Sequence, residues 1–93
     1  MLYEDYIDYK QTEDGGYKAK VNSNTFNKVL DDLQTFAQNY EKDFRELYSG
    51  RAKIYQYWGT IKNFKYSLCK WVENVDAPYY QPDEYTIYAR KID

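Results

Sequence analysis

Histidine is missing from this 93-residue chain, and cysteine and methionine occur once each. Without histidine, the commonest general base near neutral pH and the commonest metal ligand are both gone. A single cysteine cannot close an internal disulfide, so folding does not depend on an oxidising compartment. No apolar run reaches membrane-spanning length, and no signal-peptide pattern is visible. Leucine and valine are scarce. Excess positive charge is missing too: the net charge is −2, which argues against a general nucleic-acid binder. These absences lead us to expect a soluble intracellular protein, cytoplasmic in location, with no membrane association.

What the chain has instead is rings. Thirteen Tyr, four Phe and two Trp make up a fifth of it. A core drawn from this composition is largely aromatic, and some tyrosines keep their hydroxyls in water. The length suits one domain, residues 1–93, with a single modest core.

The strongest periodic signal lies between Asn22 and Tyr48. Phe26, Leu30, Leu33, Ala37, Tyr40, Phe44 and Leu47 recur at steps of four and three, with Val29 and Phe36 in the same stripe. That spacing predicts an amphipathic α-helix. Asn22, Ser23, Asn24 and Thr25 can all cap its start; Val21 and Phe26 have the spacing of a hydrophobic staple, which favours Asn22. Ser49-Gly50 reads as its C-terminal stop. Upstream, Tyr3 to Thr12 reads as a strand, with helix as the competing reading. The Glu13-Asp14-Gly15-Gly16 turn decides for a β-hairpin with Tyr17–Val21, whose apolar and basic residues alternate.

Beyond Gly50 two readings compete. Ile54, Tyr57, Ile61, Phe64, Leu68, Trp71, Val72 and Val75 fall within a stripe roughly 100° wide when wound as a helix. This predicts one long helix from about Ala52 to Val75, with Gly59 on its exposed face. The alternative makes residues 52–58 a strand, because Ile, Tyr and Trp favour strands. Asp76-Ala77-Pro78 would end the helix, Pro82-Asp83 reads as a turn, and Glu84 to Ile92 alternates as a final strand. The expected fold is therefore α+β, ββααβ: a two-helix antiparallel hairpin packed on a small three-stranded antiparallel sheet. The alternative is ββαβαβ.

No motif for catalysis, metal or nucleotide binding is present. Cys69 has no histidine to activate it. The paired carboxylates Glu4-Asp5, Asp31-Asp32 and Glu41/Asp43 read as solvated surface. The expectation is a protein that is not an enzyme, with no cofactor, no metal and no small-molecule substrate.

One asymmetry points to function. Residues 51–70 carry five basic side chains and no acidic one, whereas residues 1–49 carry ten acidic and six basic. On the long-helix reading, Arg51, Tyr55, Lys62, Lys65, Tyr66 and Lys70 share one outward face. Cations interleaved with rings can contact phosphates and stack bases. The same face could instead be solvated, or pair, within one molecule or between subunits, with the acidic surface of the first helix. A protein partner leads, with a homodimer as the specific expectation, and Tyr3, Tyr79, Tyr80 and Tyr88 are its candidate contacts. Nucleic acid is the alternative.

In size, tyrosine surplus and lack of histidine, the chain resembles the accessory proteins of viruses from hot-environment archaea and small phage-encoded inhibitors. That resemblance implies a protein acting on a host component in the host cytoplasm.

Overall fold

Asn22 does start the helix. In the computed structural model, which describes residues 3–73 and 83–92, its side-chain Oδ1 accepts the Thr25 N–H at 2.8 Å. Helix α1 spans Ser23–Phe36, and its inward face is Phe26, Val29 and Leu33, each no more than 1% exposed. The helix stops at Ala37, whose backbone is extended (φ −72°, ψ 145°), although its N–H still reaches Leu33 O at 3.0 Å.

The other regular elements of the described chain are strands. β1 (Lys10–Gln11), β2 (Tyr17–Val21), β3 (Gln38–Leu47), β4 (Ala52–Ile61), β5 (Phe64–Glu73) and β6 (Glu84–Lys91) form one antiparallel sheet. The strand order is β1-β2-β6-β5-β4-β3. Among the described residues the fold is thus mostly β, with a single helix against one face of six strands. It is not a two-helix hairpin on a three-stranded sheet.

Three expectations fail for identifiable reasons. First, residues 38–47 are strand rather than helix. Tyr40 and Phe44 are four apart, a spacing that fits one helix face and one strand face equally well. Pairing with β4 across Tyr48–Arg51 satisfies the backbone through a ladder that runs to Leu47↔Ala52. The Ser49-Gly50 pair belongs to that hairpin turn: Tyr48, Ser49 and Gly50 all take positive φ, which glycine does without strain.

Second, the long helix over residues 52–75 does not form. Its described part is the β4–β5 hairpin, paired from Ala52↔Glu73 to Ile61↔Phe64, and Val75 lies outside the described residues. A two-residue turn at Lys62-Asn63 shifts the alternation by one. Tyr57, Ile61, Phe64 and Leu68 therefore share one sheet face while spaced four, three and four apart, which imitates a helical stripe. Ile54 and Trp71 face each other on the opposite side. The strand at residues 52–58 required by the ββαβαβ alternative lies inside β4, but the second helix of that alternative is absent. Third, only Lys10–Gln11 of the first predicted strand pairs; residues 3–6 form a turn. The segment around Pro78 lies outside the described residues.

The core lies between α1 and the sheet. Ile7, Ala19, Phe26, Val29, Leu33, Tyr66, Leu68, Ile87 and Ala89 are buried together. Register explains the sheet's share of the set: Ala19 faces Ile87, Ile87 faces Leu68, and Ala89 faces Tyr66. Burying each large apolar side chain contributes about 1.5–3 kcal/mol. Gly59 sits under the C-terminal turn of α1, where a side chain would meet Ala37 and Leu33.

Candidate interaction surface

β3 is an edge strand. It pairs with β4 on one side, and among the described residues no strand pairs with the other. Its backbone donors and acceptors on that side are therefore free to pair with another chain. A bulge between Gln38 and Glu41, with Asn39 at φ 57°, sets its start. The Tyr40 hydroxyl, accepting from Gln34 Nε2 at 3.2 Å, ties it to α1.

Exposed rings gather along this strand. Phe36, just before it, is 69% exposed; Phe44, within it, 47%; and Tyr48, just after it, 72%. Phe44 is four residues from both Tyr40 and Tyr48, and its ring packs against Tyr55 of β4 with centroids 5.0 Å apart. Beyond the helix the same sheet face continues as a shelf. Phe26 of α1 meets Tyr57 and Tyr85, and past them the Lys70 ammonium lies 5.8 Å from the Tyr55 ring and 5.7 Å from the Tyr85 ring. Gln34, Lys42, Phe44, Tyr55 and Tyr57 line a depression of about 580 Å³ on this shelf. Burial pushes the Tyr57 hydroxyl pKa up, helped by Tyr40 and Tyr55, so the phenol stays neutral.

Among the described residues, the opposite face of the sheet carries no helix. Lys18, Ser67, Cys69, Thr86 and Tyr88 line a cleft of about 590 Å³ there, walled by Thr12, Glu13 and Asp14 of the β1–β2 hairpin. Asp14 anchors the wall: it accepts from Thr12 Oγ1, from the Tyr88 hydroxyl at 2.6 Å and from the Gly16 N–H at 3.1 Å. Those bonds, Thr12 first, hold its carboxyl at a pKa of about 2. Burial pushes the Cys69 thiol pKa up, against a smaller opposing pull from Lys18. That is the wrong direction for a thiolate nucleophile. Among the described residues, no three acidic or thiol side chains converge on a metal-sized site.

The six residues expected on one helical face are spread over the β4–β5 hairpin. Arg51 is in the β3–β4 turn and Lys62 in the β4–β5 turn. Lys65 is exposed on the helix-free face, opposite Arg90. Tyr66 is 1% exposed in the core and so is not available for contact. Only Tyr55 and Lys70 meet, on the shelf. Of the self-association candidates, Tyr3 packs against the core and donates to Asp32, and Tyr88 is bonded to Asp14; Tyr79 and Tyr80 lie outside the described residues. The sequence does not reveal the β3 edge, because the spacing of residues 38–47 also fits a helix. Its signal is the charge sequence Glu41-Lys42-Asp43-Phe44-Arg45-Glu46, meaningful only for a strand.

No protein-family model, curated protein or solved structure matches this chain. No helix among the described residues is long and apolar enough to cross a membrane.

Proposed function

We propose that this protein is a non-enzymatic interaction module that self-associates through the β3 side of its sheet. The observation that carries the reading is the concentration of exposed rings, Phe44 within β3 and Phe36 and Tyr48 just beyond its two ends, beside a strand edge that pairs with no other strand among the described residues. Apolar side chains grouped beside free backbone groups mark a protein contact. The compositional likeness to small viral and phage accessory proteins supports a role of this kind, with a host protein as a further partner.

Light scattering after size-exclusion chromatography tests it. The mass should rise with concentration in the wild type and in Tyr6→Asp, which alters an exposed ring away from β3. Phe44→Asp should stay monomeric. A wild type that remains monomeric to high micromolar concentration removes self-association.

A polyanion is the second reading, and one observation favours it. On the helix-free face Lys10 stands directly opposite Lys18, and Lys65 opposite Arg90. Like charges opposite one another destabilise a sheet, and a bound phosphate backbone would offset that. Labelled single-stranded RNA and DNA should bind in a steeply salt-dependent way if this reading holds, and Lys18→Glu with Lys65→Glu should abolish the binding. The protein-partner reading expects no binding at physiological salt.

A further inference from the structure

We propose that the partner at β3 is a second copy of this chain, paired antiparallel about a two-fold axis that passes through Phe44. This inference rests on the self-association reading above and specifies its geometry. Two six-stranded sheets would join into one of twelve strands, with their helices on the same side.

The argument is one of register. A two-fold axis perpendicular to the sheet keeps each face continuous with itself, so some residue of β3 must lie opposite its own copy. Between Glu41 and Glu46 every residue except Phe44 is charged. An axis on Glu41, Lys42, Asp43, Arg45 or Glu46 therefore sets like charges face to face, which is unfavourable. An axis on Phe44 does the reverse. Asp43 then faces Arg45 of the copy, and Lys42 faces Glu46 of the copy; by symmetry each pair occurs twice.

The side chains are in place for this. Phe44 is 47% exposed, with its ring against Tyr55, and its copy would extend that aromatic row across the axis. Asp43 and Arg45 lie two apart on the helix-free face of one strand, where Arg45 Nε is 3.3 Å from Asp43 Oδ2. Their side chains are 43% and 69% exposed, so both can re-pair across the axis. The outermost facing positions are Glu41 and Leu47. The same charges that admit this register repel most others, which guards the edge against indiscriminate strand addition.

The test is cysteine trapping in a Cys69→Ser background. Facing α-carbons in an antiparallel pair are roughly 4.5–5.5 Å apart, within disulfide range. Phe44→Cys should cross-link to itself under mild oxidation. Lys42→Cys and Glu46→Cys should each fail alone but cross-link when mixed. Arg45→Asp should weaken dimerisation about tenfold or more, since two attractive pairs become repulsive, and adding Asp43→Arg should restore it. Circular dichroism on each variant separates lost pairing from lost folding. A dimer by mass that is trapped at Lys42 or Glu46 alone, and not at Phe44, overturns the register but leaves self-association standing. A protein that stays monomeric, or whose β3 accepts only a strand from another protein, overturns the inference.

Discussion

Gly59 and Ala37 are in direct apposition: a Cβ placed on Gly59 would lie 2.7 Å from the Ala37 Cβ and 3.2 Å from Leu33 Cγ. The last turn of α1 therefore rests on the backbone of β4, and glycine is what permits that approach. Its φ is not positive, so the constraint is space rather than backbone conformation. Gly59→Ala should destabilise the protein by about 1–3 kcal/mol through overpacking. Urea denaturation checks this. An unchanged or raised midpoint would mean that α1 does not sit where described.

Asn22→Ala should remove the side-chain acceptor for the Thr25 N–H. The expected loss is about 0.5–2 kcal/mol. Asn22→Ser should recover most of it, because serine can take the same capping bond. Thermal melts of the three proteins make the comparison.

The β1–β2 hairpin should loosen in acid. The Asp14 carboxyl is lowered from 3.8 to about 2 by its bonds to Thr12, Tyr88 and Gly16. A depressed folded pKa contributes stability that is fully present above the unfolded value, near 4. That contribution fades as pH falls through about 2. Asp14→Asn should flatten this part of the pH–stability curve. The Tyr88 hydroxyl, whose pKa the Asp14 bond raises, should then titrate at lower pH in the variant, readable by ultraviolet absorbance.

Cys69 should alkylate slowly. Its thiol pKa is raised by burial, so at pH 8 less thiolate is present than in a free cysteine. Iodoacetamide labelling should be slower than that of glutathione in native buffer and comparable to it in denaturant. Native labelling faster than glutathione would place the thiol in a different environment.

A large part of the candidate surface was visible in the sequence only as scattered signals. The basic stretch from Arg51 to Lys70 is real, but as paired strands it divides between two faces and two turns. Tyr66, which a helical winding places on the surface, is core, because Ala89 and Gly59 flank it on the helix-covered face. Tyr55 and Lys70 do meet, yet as cross-strand neighbours rather than as neighbours on a helix. The charge antisymmetry about Phe44 could not be read until residues 38–47 were known to be extended.

The chain by itself determined those elements whose pattern fits a single period. Asn22 with Phe26, Val29 and Leu33 specifies the start and inner face of α1. Alternation in Tyr17–Val21 and in Glu84–Lys91 specifies β2 and β6, since no helix face collects Ala19 with Tyr17 and Val21, or Ile87 with Tyr85 and Ala89. Tertiary structure decided residues 38–73. There, Tyr40 with Phe44, and Tyr57, Ile61, Phe64 and Leu68, satisfy both a helical and a strand arrangement, so local preference is nearly balanced. What tips it is the pairing of β3 with β4 and of β5 with β6, between segments whose partners a local pattern cannot see. The helix offers each of these residues only local hydrogen bonds. The sheet offers them ladder hydrogen bonds on both sides of β4 and β5, and burial beneath α1.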